Sequence, residues 1–377
     1  MSIYLLVALL LFAATVLFAS VITSWRTALA GVATFEEIPS AQLPMVTLLV
    51  PARDEEENIA LILQDLHAQT YPRELIQVIV LDDGSTDRTA AIVEGMQRNW
   101  PQLQILRSVE PGKKAAITSG VHVAQGELIL LTDADVRCGP RRVRSIVAHW
   151  VNERSDLIIL PARTDGDGVL GQLQEHEQAA LLGMGMGTAA VNAPALAYGA
   201  NLAFARAAFH AVGGYAGDLF ASGDDVFLLQ RMKRSGRKIT ALFHADATVV
   251  TKAPTTLGGA IQQRLRWAGK MRGIGGATNV SGLLALALPW CLLYLTLTFN
   301  IREAIGQHAT FTALLIVATW TLWFMPVIAL VGVVRKAMGQ RSAPLGTLAS
   351  FIAFCCYAPL IAIASLVVHP QWKGRRI

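Results

Sequence analysis

A short apolar run that ends in two acids is the feature that most constrains the fold of this chain. Residues 127–132 read Glu-Leu-Ile-Leu-Leu-Thr and are followed by Asp133-Ala134-Asp135. A continuously apolar run of this length is typical of a strand that is buried on both faces, as in a parallel sheet. Open parallel sheets bind ligands outside the carboxyl ends of their strands. The run therefore predicts an α/β domain with Asp133 and Asp135 at its binding edge.

Strands and helices alternate through the region around this acidic pair. The sequence predicts strands over residues 46–50, 77–81, 103–106, 127–132 and 156–160, and helices over residues 55–69, 90–97 and 113–124. Strands separated by helices of about a dozen residues indicate a doubly wound, mostly parallel sheet. Three more helices are predicted over residues 172–187, 206–212 and 226–235, where the alternation is lost.

Apolar segments near both ends of the chain predict a membrane protein. Hydrophobic residues make up 53% of the sequence and charged residues 16%, which is too apolar for an ordinary soluble domain. Residues 3–22 are long enough to span a bilayer as a helix, and further apolar segments cover residues 283–299, 313–334 and 345–368. We expect an N-terminal anchor over residues 1–25, an α/β domain over residues 40–272 and a membrane region of two or three segments over residues 281–369.

Basic residues set the expected orientation in the membrane. No Lys or Arg precedes the first apolar segment and Arg26 follows it, which favours a retained anchor over a signal peptide. Because basic residues are enriched on the cytoplasmic side of membrane proteins, Arg26 places the α/β domain in the cytoplasm, at an inner or plasma membrane. A third full crossing after the domain would put Lys373, Arg375 and Arg376 outside, against this rule. Because Pro359 lies within the last apolar segment, a re-entrant or broken segment remains an alternative.

The charge balance narrows the class of partner. The net charge of +5 and the pI of about 9.1 suit an anionic partner. The basic residues do not form a stripe with interleaved aromatic residues, so we expect a membrane surface rather than a nucleic acid. The four cysteines have no metal-ligand spacing.

Polar residues also follow the first two predicted strands. Asp54 and Glu55 come after the first strand, and Asp82 and Asp83 come after the second. Carboxylates at this edge can accept hydrogen bonds from a ribose or a base. Taken singly, each of these residues fits an ordinary turn or helix cap equally well.

Two lysines and the acidic pair suggest a site for a charged ligand. Lys113 and Lys114 follow Gly112 at the start of a predicted helix, where N–H groups and lysine charge suit a diphosphate. The alternative is that the two lysines are simply solvated. Asp133 and Asp135 offer the hard oxygen ligands that Mg²⁺ or Mn²⁺ prefers, with substrate phosphates completing the shell.

Together these motifs resemble a known enzyme family. Their order is Val50-Pro51-Ala52-Arg53-Asp54-Glu55-Glu56, Leu81-Asp82-Asp83-Gly84-Ser85-Thr86-Asp87, Pro111-Gly112-Lys113-Lys114-Ala115-Ala116 and Thr132-Asp133-Ala134-Asp135. They resemble the inverting glycosyltransferases of family 2. The resemblance continues through Gly199-Ala200-Asn201-Leu202, Gly213-Gly214-Tyr215 and Ser222-Gly223-Asp224-Asp225, and it ends at Gln263-Arg264-Leu265-Arg266-Trp267. It covers roughly residues 45 to 270.

The resemblance implies a fold and a set of residue roles. It implies a GT-A domain that binds a nucleotide-diphosphate sugar, with Mg²⁺ or Mn²⁺ bridging the diphosphate to Asp133 and Asp135. The implied donor-binding residues are Pro51, Asp54, Glu55, Asp82, Asp83, Lys113 or Lys114, and Asp133. The implied catalytic base is Asp225, with Asp224 where the family more often has Glu. The alternative is that both acids cap the helix that follows them.

The last motif matches the Q-x-x-R-W pattern of membrane polysaccharide synthases and lipid glycosyltransferases. The residues that the resemblance assigns to the acceptor or the diphosphate are Asn201, Gln263, Arg264, Arg266 and Trp267. An arginine can clamp a phosphate and an indole can stack on a sugar. The alternative is a juxtamembrane basic cluster, Arg264, Arg266, Lys270 and Arg272, that is attracted to anionic lipid.

The sequence thus predicts an inverting, metal-dependent transferase that moves a hexose, with UDP-hexose favoured as donor, to a membrane lipid. A processive polysaccharide synthase is the first alternative, although the bulkier aromatic motif of such enzymes is missing at Tyr198-Gly199-Ala200-Asn201. A sugar nucleotidyltransferase would require a Gly-rich loop after the first strand, where this chain has Ala52-Arg53-Asp54-Glu55. A non-catalytic sensor of nucleotide sugars would not require a base such as Asp225.

Overall fold

The structure is a computed structural model of the 377-residue chain. It describes residues 3–30, 38–39, 43–218, 223–271, 277–302, 309–368, 371–373 and 375–376. Ser222 and Arg272, which were named above as motif residues, lie outside these ranges.

A seven-stranded sheet forms the centre of the α/β region. The strands of this region are β1 (Val46–Ala52), β2 (Ile76–Asp82), β3 (Leu103–Arg107), β4 (Leu128–Thr132), β5 (Val136–Cys138), β6 (Leu157–Ile159), β7 (Ala162–Asp165), β8 (Asn201–Ala205), β9 (Ile239–Ala241) and β10 (Val249–Lys252). The central sheet has the order β3-β2-β1-β4-β8-β6-β9, and β5, β10 and β7 form a three-stranded sheet. Because β1 to β4 are parallel, their carboxyl ends lie along one edge.

Strand β8 is the main departure from the expected sheet. The sequence suggested no strand here, and β8 is inserted between β4 and β6, antiparallel to both. Thr132 at the end of β4 pairs with Asn201 at the start of β8. The residues that precede β8 therefore lie at the same edge as the carboxyl ends of β1, β2 and β4.

Helices cover both faces of the central sheet. In chain order the helices are α1 (Ile3–Ala30), α2 (Ile59–His67), α3 (Thr89–Gln97), α4 (Lys113–Val123), α5 (Arg142–Glu153), α6 (Gly168–Ala190), α7 (Arg206–Ala211), α8 (Asp224–Arg234), α9 (Leu257–Met271), α10 (Ala277–Arg302), α11 (Ala309–Ala337) and α12 (Pro344–Ala364). Along β1, Leu48 and Val50 belong to the core beneath α2 and α5, whereas Leu49 belongs to the core beneath α4 and α8. Both faces are buried, which explains the continuous apolar runs.

The apolar helices fit the expected membrane region. Of the helices that the structure describes, α1, α11 and α12 are long and apolar enough to cross a membrane, and the apolar part of α10, Leu286–Phe299, is shorter. Helix α1 has 28 residues. At about 1.5 Å per residue it is longer than the ~30 Å hydrocarbon core. Its last turns therefore extend beyond the expected anchor, and Leu29 is buried against the α/β region.

Helix α6 connects the α/β region to the membrane helices. Gly183 faces α11, where an added Cβ would lie 2.9 Å from Cγ of Leu330. Gly187 faces α1, where an added Cβ would overlap the side chain of Trp25. The glycines of α6 thus let α1 and α11 approach its backbone closely, which accounts for the unusual glycine content of this segment.

Contacts on both sides of α12 involve the α/β region. At its start, Oγ of Ser350 donates to the carbonyl of Leu173 in α6 over 2.7 Å. After it, β11 (Gln371–Trp372) and β12 (Arg375–Arg376) form a hairpin, and Lys373 in its turn contacts the loop that follows β1. The chain after α12 therefore lies beside the loop that follows β1.

Candidate active site

The turns after β1 and β2 are bound to each other. Nη1 of Arg53 donates to the carbonyl of Asp83 over 2.7 Å, and Oδ1 of Asp54 accepts from the backbone N–H of Thr86 over 2.7 Å. Asp54 has a positive φ of 50°. This conformation is uncommon outside glycine, although Asp tolerates it better than most residues. Pro51, one position before Ala52, is half-buried within β1 opposite Leu81.

The two acids after β2 hold neighbouring loops in place. Oδ1 of Asp82 accepts from the backbone N–H of Ser85 over 3.0 Å, and Oδ1 of Asp83 accepts from the backbone N–H of Gly112 over 2.8 Å. Both carboxylates are buried. Gly112 has a φ of 115°, which favours glycine, and it immediately precedes α4. Asp83 thereby fixes the start of the helix that carries Lys113.

Lys113 lies between the two acidic pairs. Its Nζ is 2.7 Å from Oδ1 of Asp133 and 3.0 Å from Oδ2 of Asp224. Burial alone would lower the pKa of Lys113, but the charges of Asp133 and Asp224 outweigh it and raise this pKa above its usual value. The lysine is therefore a stable cation, and it links the edge of β4 to the start of α8.

Asp133 and Asp135 form a strongly acidic edge. Burial raises the pKa of Asp133 to about 6; Lys113 opposes this rise, and the charge of Asp135 adds to it. Burial and the charge of Glu55 likewise raise the pKa of Asp135. Carboxylates that resist ionisation in this way would be stabilised by a bound cation.

The donor set at this edge fits Mg²⁺ or Mn²⁺. Within the described part of the chain, no cluster of three or more His, Cys, Asp or Glu side chains could hold a metal alone. Two carboxylates suit these ions, because they usually keep several water or phosphate ligands. Asp133 and Asp135 are the residues that would hold the ion.

Lys114 does not share the position of Lys113. Its Nζ lies 2.9 Å from Oδ2 of Asp218 and 4.4 Å from the centre of the Phe227 ring. Nη2 of Arg231 binds Oδ1 of the same aspartate over 2.5 Å. Consecutive helical residues point about 100° apart, so only one of the two lysines can face the acidic edge. The structure therefore assigns Lys114, expected as a donor ligand, to the packing of α4 against α8.

Asp224 and Asp225 form the first turn of α8, which begins two residues before the helix predicted over residues 226–235. Both are buried. Asp224 is paired with Lys113, whereas Oδ2 of Asp225 accepts from the backbone N–H of Gly199 over 3.0 Å. Oδ1 of Asp225 accepts from the backbone N–H of Val226 over 2.8 Å. Two backbone N–H groups thus help to orient the Asp225 carboxylate.

Asn201, expected near the acceptor, is instead part of the interior. It is fully buried, and its Oδ1 accepts from Nη2 of Arg142 over 2.7 Å. Its Nδ2 donates to the carbonyls of Pro161 and Ala247. Arg142 also binds Oγ1 of Thr132 over 2.8 Å, so this cluster braces the end of β4 directly before Asp133. The sequence signalled no role for Arg142.

Arg264 and Arg266, the two arginines of the last motif, have different partners, as the two lysines do. Arg264 is buried, and its Nη2 binds Oε2 of Glu177 in α6 over 2.5 Å. Its Nη1 binds Gln174 and Gln263. The Trp267 ring lies 5.4 Å from the guanidinium of Arg264. Arg264 thus holds α9 against α6, with Gln263 and Trp267 in contact with it, and its expected role as a phosphate clamp stays a prediction.

Arg266 interacts electrostatically with the acidic edge. Burial lowers its pKa, while the negative charges of Asp135 and Asp133 oppose this. A guanidinium there suits an oxygen-rich anion such as a diphosphate.

Lys373 completes the edge from the far end of the chain. Its Nζ donates to the carbonyl of Asp54 over 3.0 Å, to the carbonyl of Arg53 and to Oε1 of Glu55. Oε2 of Glu55 accepts from Nδ2 of Asn58 over 2.9 Å. The sequence offered no signal for this contact, because 318 residues separate Lys373 from Glu55.

Comparison with a family model identifies the α/β region. Residues 47–210 match the model described as Glycosyl transferase family 2. The α/β region is a family 2 glycosyltransferase domain. The matched residues include the strand ends, both lysines and the Asp133-Ala134-Asp135 pair, so the expected family and enzyme class are confirmed.

Two relatives within the family illustrate its range. A beta-monoglucosyldiacylglycerol synthase of Synechocystis sp. is 33% identical over 112 residues, which is 29% of this chain and 23% of the relative. A poly-beta-1,6-N-acetyl-D-glucosamine synthase of Staphylococcus aureus is 24% identical over 230 residues, which is 60% of this chain and 54% of the relative. The chain thus spans about a quarter of the diacylglycerol enzyme and about half of the polysaccharide enzyme.

A solved structure extends the likeness of this glycosyltransferase to nearly its whole length. It is a mannosyltransferase of Pyrobaculum calidifontis in complex with GDP-Man and Mn²⁺, with a TM-score of 0.59 and 21% identity. The superposition covers 94% of this chain and 99% of that one. The expected GT-A fold, with a mostly parallel sheet and apolar helices near both ends, is confirmed.

Proposed function

We propose that this glycosyltransferase is an inverting, metal-dependent enzyme that moves a hexose from a nucleotide-diphosphate sugar to a membrane lipid. One observation carries the proposal. The single ammonium of Lys113 lies 2.7 Å from the carboxylate of Asp133 and 3.0 Å from that of Asp224. The acids that would hold the metal and the donor are therefore adjacent to the acids that would activate the acceptor.

Donor binding would use the edge formed by β1, β2 and β4. The turns after β1 and β2 carry Asp54, Glu55, Asp82 and Asp83, which we assign to the nucleoside side. A divalent ion bound by Asp133 and Asp135 would supply positive charge to the diphosphate. Lys113 and Arg266 add permanent positive charge beside it, which suits a dianionic leaving group.

The transfer step assigns Asp225 as the general base. Its carboxylate takes the proton of the acceptor hydroxyl while the hydroxyl oxygen forms a bond to the anomeric carbon. The bond from that carbon to the diphosphate breaks, and the nucleoside diphosphate leaves with the electron pair. Hydrogen bonds from the N–H groups of Gly199 and Val226 orient Asp225 for this role.

Two features support a lipid as the acceptor. Tyr198, next to Gly199, donates its hydroxyl to the carbonyl of Leu181 in α6 over 2.7 Å. Helix α6 in turn packs on α1, α11 and α12, so one helix joins the base to the apolar region. The name of the Synechocystis relative also includes a diacylglycerol.

The basic residues Arg26, Arg335 and Lys336 favour a cytoplasmic position for the α/β region, at an inner or plasma membrane.

A processive polysaccharide synthase is the second candidate. The similarity to the poly-beta-1,6-N-acetyl-D-glucosamine synthase favours it, because that match covers 60% of this chain. The two candidates share the donor site and the base. They differ in the acceptor, which is a lipid in one case and the growing polymer in the other.

A donor screen tests the proposal. Purified protein in lipid nanodiscs would receive UDP-glucose, UDP-galactose, UDP-N-acetylglucosamine or GDP-mannose, with Mn²⁺ or Mg²⁺ and diacylglycerol or ceramide. Released nucleotide and product mass would be measured, with the Asp225→Asn protein as the inactive control. We expect one hexose per lipid from one donor and no turnover in EDTA. A ladder of products would favour the synthase, and full activity in EDTA would exclude the metal assignment.

A further inference from the structure

The C-terminal hairpin brings a lysine into the proposed donor site. Lys373 lies in the turn between β11 and β12, with a φ of 45°, and its side chain is 24% exposed. Its ammonium contacts three oxygens of the loop after β1, namely the carbonyls of Arg53 and Asp54 and the carboxylate of Glu55. An ammonium has three N–H donors, so each of the three oxygens can receive one of them.

These contacts stabilise a backbone turn that is otherwise unfavourable. Asp54 adopts a positive φ of 50° between the two carbonyls that Lys373 binds. A non-glycine residue in this region is unfavourable and persists where surrounding contacts hold it. On one side of the turn, Oδ1 of Asp54 accepts from the backbone N–H of Thr86. On the other side, Lys373 binds the carbonyls of Arg53 and Asp54. The loop after β1 is therefore fixed by the turn after β2 and by the C-terminal hairpin together.

Charge gives the second part of the argument. The proposed donor carries a negatively charged diphosphate, yet Glu55, Asp133 and Asp135 all lie at this edge. The ammonium of Lys373 neutralises Glu55, whose side chain is 11% exposed.

We propose that Lys373 is a positioning residue for the donor: it holds the turn after β1 and the Glu55 carboxylate in the arrangement that binds the nucleoside diphosphate. The inference rests on the proposed function. It assigns part of the donor site to chain that follows the last apolar helix. Lys373 acts through Arg53, Asp54 and Glu55, so its loss should affect donor binding more than acceptor binding.

The test measures nucleotide affinity directly. Calorimetric titration of the full chain in detergent with UDP or GDP, in the presence of Mn²⁺, gives Kd for the wild-type protein and for Lys373→Met and Lys373→Arg. Charge-assisted hydrogen bonds are about twice as strong as neutral ones, so we expect Kd to rise about tenfold or more in Lys373→Met. Lys373→Arg should recover part of this loss. The donor KM should follow Kd, while the acceptor KM stays at its wild-type value.

Lys238→Met is the matched control. Lys238 is paired with Glu153 and precedes β9 at the opposite edge of the sheet. Its loss should leave Kd unchanged. A melting temperature for each variant separates weaker binding from misfolding, and Lys373→Arg keeps the test valid if Lys373→Met is unstable.

A double-mutant cycle with Glu55→Gln tests the route. If Lys373 acts through Glu55, the nucleotide Kd of the double variant should be no higher than the higher Kd of the two single variants. Losses of binding free energy that add in the double variant would overturn this route. A Kd for Lys373→Met within twofold of wild type, or a lower Kd, would overturn the inference and leave the proposed function intact. Failure of the wild-type protein to bind either nucleotide would overturn both.

Discussion

The backbone N–H of Gly199 donates to Oδ2 of Asp225 over 3.0 Å. The proposed base is thus oriented by a residue without a side chain. A Cβ at this position would lie 2.9 Å from Oδ2 of Asp224 and 3.3 Å from Nζ of Lys113. The absence of a side chain is what lets the two acids of α8 and the lysine of α4 meet here.

Gly199→Ala should therefore displace the Lys113–Asp224 pair. A shift of about 1 Å in a reacting group can cost 10²-fold in rate, so we expect kcat to fall by about that factor. Gly95→Ala is the matched control, because nothing lies within 4 Å of a Cβ there. In helix α3 that change should raise the melting temperature and keep the activity. Wild-type kcat in Gly199→Ala would show that the close packing at this position has no catalytic importance.

Asp225→Asn tests the base. The change is nearly isosteric, so donor affinity should stay within a few-fold while the transfer rate falls by about 10²–10⁴, the usual contribution of general-base catalysis. Asp224→Asn is measured in parallel and should weaken nucleotide binding, because it removes a partner of Lys113. If Asp224→Asn abolishes turnover with normal binding and Asp225→Asn does not, the two roles are exchanged.

Lys113→Met and Lys114→Met should have opposite profiles. Loss of Lys113 removes the cation between Asp133 and Asp224, so Kd for UDP with Mn²⁺ should rise and kcat should fall. Loss of Lys114 leaves Asp218 with Arg231 alone, and we expect about 1–3 kcal/mol less stability with unchanged Kd. Calorimetry and denaturant unfolding measure the two quantities. Equal nucleotide affinities in the two variants would contradict the separation of the pair.

Arg264 and Arg266 allow the same comparison on α9. Arg264→Met leaves the buried carboxylate of Glu177 without its arginine and should lower the free energy of unfolding by about 3–5 kcal/mol. Arg266→Met should fold normally and weaken nucleotide binding, because the charge of Arg266 interacts with those of Asp135 and Asp133. Melting temperatures and Kd values check both expectations. A stable Arg264→Met protein with poor nucleotide binding would restore the phosphate-clamp role first expected for Arg264.

Strands β1, β2 and β4 could be predicted because their residues are buried on both faces. Runs such as residues 127–132 are apolar without interruption, and the ends of β1, β2 and β4 carry the motif acids. Strands β5, β6 and β9 have only three residues and β7 and β10 only four, too few for a period to show. Only β6 among them was expected.

The roles within residue pairs could not be read from spacing. Lys113 and Lys114 are equivalent in composition, and their helical directions alone decide which one faces Asp133. The roles of Arg264 and Arg266 differ because α6 provides partners for Arg264, above all Glu177. Asn201 lies in one of the motifs named above, but in the interior it accepts a hydrogen bond from Arg142, which belongs to none of them.

The contact between Lys373 and Glu55 also determines when during synthesis the turn after β1 can be complete. A ribosome delivers Glu55 early, soon after α1, and delivers Lys373 only after α10, α11 and α12. Until then the turn after β1 lacks one of the groups that hold it. With Lys373 as a positioning residue, the enzyme cannot bind its donor fully while its apolar helices are still being inserted, so translation itself would delay activity until insertion has finished.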